Sequence, residues 1–134
     1  MSDLTLICET CGLPIGRGKG SVYIRIGDVG DYRRVQREWQ RAHPEGAAVD
    51  LTELDRYPED IHWRTGHDAY RTDHDEGCYE IDDDKVATWG GLAHWTAHLM
   101  EKNWFELSDW DDLLREVAGD APSRRIRVAA REAA

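Results

Sequence analysis

The chain has 134 residues, of which 40% are hydrophobic, and a formal net charge of −10. That length suits one domain with a lean core, and six tryptophans beside five tyrosines argue against disorder throughout. No apolar run is long enough for a signal peptide or a membrane span, which predicts a cytoplasmic protein, and three cysteines argue for metal ligation or inert thiols rather than a disulfide scaffold.

Residues 4–7 read as a short strand entering Cys8-Glu-Thr-Cys11-Gly12, and residues 21–26 alternate polar and apolar as a second strand. The glycine-rich stretch between them is turn chemistry, so strand, Cys-x-x-Cys turn and returning strand predict a zinc-knuckle hairpin. Asp31 is the expected N-cap of a helix reaching about Ala42. Tyr32, Val35, Trp39 and Ala42 form its apolar stripe, and Arg33, Arg34, Arg37 and Arg41 take other faces. His43-Pro44 ends that helix, and Asp50-Leu-Thr-Glu53 matches a capping box for one helical turn closed by Pro58.

Two further short strands are expected at 61–65 and 78–81, with a polar loop over 66–77. Thr88 should cap the main core helix, running to about residue 103. Trp89, Ala93, Ala97, Met100 and Trp104 form its stripe, broadened by Leu92, Trp95 and Leu99. Ser108-Asp-Trp110-Asp111 is a second capping box, opening a helix that Gly119 terminates. Residues 121–134 read as a basic, flexible tail. These elements predict an α+β fold: one zinc-stabilised domain over 1–120, with the knuckle hairpin and short antiparallel strands packed against C-terminal helices.

Charge is unevenly spread. Residues 17–41 carry a local net of +4, residues 42–120 carry −15, and the tail returns to +3. An acidic body disfavours broad phosphate binding, and the basic segment is expected to lie against the acidic run over 73–84.

Cys8-x-x-Cys11-Gly12 is the most specific motif. Two thiolates at this spacing converge on one tetrahedral cation, and thiolate-rich tetrahedral sites select zinc. The remaining ligands come from His67, His74 and Cys78, of which His74-x-x-x-Cys78 has a common ligand-pair spacing. The competing account is a pair of inert buried thiols.

The stretches CETCGLPIGRGKGSVYI, HWRTGHDAY, LAHWTAHLMEKNW and SDW together resemble a family of small bacterial and viral zinc-knuckle proteins. The resemblance covers most of the chain and implies a treble-clef-like fold, with Cys8, Cys11 and His67 as ligands. This chain departs from the pattern at Tyr70, where a last cysteine is expected, so Cys78 or His74 would substitute. The resemblance supplies no activity, and a regulatory or virus-related accessory role follows from it alone.

A second constellation is His94, His98 and Glu101, which fall on one helical face and could bind a catalytic zinc or iron. It lacks the adjacent glutamate of His-Glu-x-x-His proteases, and histidines at i, i+4 arise often without function. Gly16-Arg-Gly18-Lys-Gly20 lacks the Gly-Lys-Ser/Thr ending of a phosphate loop and reads as a hairpin turn. The leading expectation is a non-catalytic, zinc-stabilised interaction module with a protein partner. Two alternatives stand beside it: a nucleic-acid-binding module using the arginine face of 33–41 and the basic tail, and a metal-dependent hydrolase at His94, His98 and Glu101.

Overall fold

A computed structural model describes residues 3–44, 46, 48, 57–71 and 77–129. The fold is α+β. It opens with β1 (Leu4–Leu6), β2 (Gly20–Arg25) and α1 (Ile26–Ala42), followed by β3 (Arg64–His67) and β4 (Cys78–Asp82). Helices α2 (Trp89–Leu99) and α3 (Trp110–Ala118) come next, and β5 (Ile126–Val128) ends the described chain. No helix among the described residues is long and apolar enough to cross a membrane.

Two antiparallel sheets result. Strand β2 lies between β3 and β4, while β1 pairs with β5 and not with β2. The expected hairpin from β1 through the cysteine turn to β2 is therefore corrected. The chain returns along the knuckle only over Leu13 to Ile15, where Ile7 bridges Pro14 and Ile15 N–H donates to Leu6 O at 2.8 Å. It then departs to a different sheet. Gly20 is required at that departure, because a Cβ there would lie 2.4 Å from the carbonyl oxygen of Gly66 on β3.

The tail assignment is corrected as well. Residues 126–128 form β5, with Leu4 opposite Val128 and Leu6 opposite Ile126, and Arg125 and Ile126 are buried. Backbone pairing and an apolar Ile126 hold this segment despite its basic composition.

The core is built on indoles. Trp63 and Trp110 are fully buried and meet edge to face with ring centroids 4.9 Å apart, and Trp104 and Tyr79 surround Trp63. Such pairs contribute about 0.5–1.5 kcal/mol beyond the area they bury. Both indole N–H groups are satisfied: Trp63 Nε1 donates to Ser108 Oγ at 3.0 Å and Trp110 Nε1 to Thr96 Oγ1 at 2.9 Å.

Helix boundaries follow the local signals in part. Thr88 caps α2 by accepting from Gly91 N–H, and Gly119 closes α3 at φ +86°. Ser108 and Asp109 do not cap α3 with their side chains, because both are turned inward onto Trp63. Helix α1 starts at Ile26 rather than at Asp31, continuing directly from β2. Helix α2 stops at Leu99 and buries Leu92 and Leu99, whereas Trp89 and Met100 of the expected stripe are 46% and 65% exposed. The buried face is thus set by the residues that were expected only to widen it. The helical turn expected at Asp50 lies outside the described residues.

Candidate metal centre

The knuckle loop presents its two cysteines from a tight turn. Cys8 N–H donates to Leu13 O at 2.9 Å and Gly12 N–H to Cys8 O at 2.7 Å, and Gly12 takes the left-handed φ of +74° that completes the reversal. His67 arrives from the end of β3, placed by its pairing with Gly20. The ligand atoms of Cys8, Cys11 and His67 all lie within 4.8 Å of one another, with Cys11 Sγ 3.6 Å from His67 Nδ1. No other trio of histidine, cysteine or acidic side chains converges in this way among the described residues.

Cys8 is the buried member of the trio. Burial alone would raise its pKa. The backbone N–H groups of His67 and Cys11, the His67 side chain and the Thr10 N–H outweigh burial and bring the thiol down to about 6. A sulfur surrounded by backbone donors is poised as a thiolate, the form that ligates metal. A set of two thiolates and one imidazole fits a soft tetrahedral cation.

The remaining ligand expectations fare differently. Cys78 is excluded by strand register: His67 pairs with Gly20 at one end of β2, and Cys78 pairs with Arg25 at the other. Five residues at about 3.3 Å each separate the two ends by roughly 16 Å. His74 lies outside the described residues. Among the described residues the cluster therefore offers three candidate ligands.

His94, His98 and Glu101 form no such cluster. Helix α2 ends at Leu99, so Glu101 falls outside it, and His98 packs edge-on against Trp95 with centroids 5.2 Å apart. The basic segment lies against the acidic run through its strand rather than its arginine face: β2 pairs along β4, with Ser21 opposite Asp82 and Tyr23 opposite Glu80. Gly18 N–H donates to both carboxylate oxygens of Asp83 at 3.1 Å, while Arg33 reaches Asn103 and Arg34 pairs with Asp31. The basic tail loses Arg125 to the interior.

A charged network behind the knuckle was not anticipated. Glu9, inside the Cys-x-x-Cys loop, accepts from Thr65 N–H through Oε1 and pairs through Oε2 with His62 Nε2 at 2.7 Å. His62 Nδ1 contacts Asp109 Oδ2 at 2.6 Å, and Asp109 also accepts from Trp63 N–H and from Arg125. Arg125 Nε donates to Glu116 Oε2 at 2.7 Å. This chain of contacts ties the metal loop to α3 and β5. Nothing in the sequence marks it, because its members lie far apart along the chain.

Hydrogen bonds to Asp109 and then to Glu9 outweigh burial and push the His62 pKa from 6.5 to about 9. The folded value is raised, so the stability it contributes is fully present below about pH 6.5 and fades as pH rises through about 9. The His62 side chain is 47% exposed, which keeps the effect small. Between about pH 6 and pH 9.5 the wild-type melting temperature should fall by roughly 2–4 °C more than that of His62→Gln. Equal slopes for the two proteins would remove His62 from the account.

Fold and site together define an α+β protein with a Cys2His cluster close enough to hold a metal ion. In comparisons with known proteins the chain matches no family, no curated protein and no solved structure. The resemblance to zinc-knuckle proteins thus rests on its motifs.

Proposed function

We propose that the chain is a non-catalytic interaction module whose knuckle is held by zinc on Cys8, Cys11 and His67. The observation that carries this reading is the convergence of three ligand atoms from two distant segments around a buried, donor-surrounded sulfur. Bound zinc would join the Cys8–Cys11 loop to β3, and so fix the surface that the loop presents. Two large apolar side chains flank that surface. Leu13 follows the turn and Tyr70 packs edge-on against His67, each 61% exposed, a pattern that supports a protein partner.

The fourth coordination position separates this reading from a hydrolytic one, since a structural zinc is closed by protein and a catalytic zinc keeps a place for water. His74 is the side chain we assign to it, and its assignment rests on sequence alone. Metal analysis of protein purified without added zinc should find about one equivalent per chain. X-ray absorption should then return two sulfur and two nitrogen neighbours, changing to one nitrogen in His74→Ala. Two sulfurs, one nitrogen and a water oxygen in the wild type would overturn the closed-site reading.

A further inference from the structure

Between the knuckle loop and β3 lies a cleft of about 200 Å³ lined by Glu9, Thr10, Tyr23, His62, Arg64 and Thr65. Its polar groups are not equally occupied. Both carboxylate oxygens of Glu9 are spent, one on Thr65 N–H and one on His62. The Thr65 hydroxyl donates to Ile7 O. Arg64 is different: its Nε is buried and has no acceptor among the described residues.

Arg71 Nη2 also lacks a well-directed hydrogen bond but has the Glu80 carboxylate 2.8 Å away, and Arg125 is held by Asp109 and Glu116, whereas Arg64 shows no ion pair among the described residues. A buried donor without an acceptor costs about 1–3 kcal/mol, and native folds rarely leave one idle. Strand pairing sets Arg64 opposite Tyr23, and both residues line the cleft. Thr10, exposed on the knuckle loop, adds a hydroxyl donor to the same wall.

We propose that this cleft is a carboxylate-binding subsite in which Arg64 pairs the incoming group and the Thr10 hydroxyl donates to it. One planar guanidinium matches one carboxylate through two parallel N–H···O bonds. The neighbouring Glu9 and Asp109 carboxylates penalise a dianion more than a monoanion, which favours carboxylate over phosphate. The carboxylate belongs either to a small free acid or to the C-terminus of a partner chain. Neither Arg64 nor the Thr10 side chain is a metal ligand, so the inference stands apart from the zinc reading.

The test is a titration of full-length, 15N-labelled protein at constant ionic strength, following the Arg64 Nε–H resonance. Acetate should produce a saturable shift with roughly millimolar affinity, and inorganic phosphate a weaker one. In Arg64→Gln the acetate-dependent shifts of neighbouring amides should weaken about tenfold, while Arg64→Lys and Thr10→Val fall between, all at unchanged metal content. No saturation by acetate up to roughly 100 mM, or tighter binding of phosphate, would overturn the proposal. A short peptide with a free C-terminus, compared with its amide, separates the two sources. Tighter binding than acetate assigns the cleft to a partner's chain end, and equal binding assigns it to a small acid.

Discussion

On the proposed zinc reading, chelation is expected to lower the melting temperature by about 10 °C or more. A ligand present at a hundred times its dissociation constant stabilises a fold by about 2.7 kcal/mol, and tight zinc sites exceed that ratio. At this chain length each kcal/mol corresponds to roughly 3–5 °C. The loss has a local cause. Cys8 is completely buried with backbone donors aimed at its sulfur, and without a cation the thiolate they favour has no counter-charge. Cys11→Ser should reproduce the drop and abolish stoichiometric zinc. Cys78→Ser should leave zinc content unchanged, because Cys78 sits at the far end of β2 from His67. Calorimetry with and without chelator decides the matter, and an unchanged midpoint in metal-free protein would end the structural role for zinc.

The contrast between Cys11 and Cys78 marks how far the sequence was legible. Cys8, Cys11 and the glycine after them are contiguous, so their turn geometry is written locally. Thr88 and Gly119 were legible for the same reason, since a cap acts within one helical turn. Cys78 failed because its distance from the knuckle depends on the register of two strands on β2, which no local spacing encodes. The face of α2 failed because apolar residues surround that short helix. Leu92 and Leu99 face inward while Trp89 and Met100 face out, a choice made by what packs against the helix. Ser108 was a sound cap candidate, but buried Trp63 has the stronger claim on it. The C-terminal segment was misread on composition: its arginines suggested solvation, yet Arg125 meets buried acids contributed by α3 and the turn before it.

That arginine carries the largest single-residue effect expected outside the metal site. Its side chain is 4% exposed, between Glu116 at 7% and Asp109 at 10%. The same guanidinium reaches Trp63 O at 3.0 Å, and Glu116 also accepts the backbone N–H groups of Arg124 and Arg125. The assembly thus joins α3, β5 and the segment bearing the central tryptophan. Arg125→Met keeps the volume and the apolar stem but strands two carboxylates in the interior, which typically costs about 3–5 kcal/mol. The Asp109 carboxyl is otherwise held below its usual range: bonds from His62 and Trp63 and the Arg125 charge overcome burial. Without Arg125 that balance weakens, and the variant should also lose more stability than wild type as pH rises above the carboxylate range. Urea unfolding should register the deficit, while Arg124→Met and Arg127→Met, on exposed neighbours, should stay within about 0.5 kcal/mol of wild type. Truncation after residue 120 removes β5 along with Arg125, and is expected to yield no cooperative unfolding transition at all. A truncated chain that melts like the full-length protein would return these residues to the status of a tail and leave the buried charges unexplained.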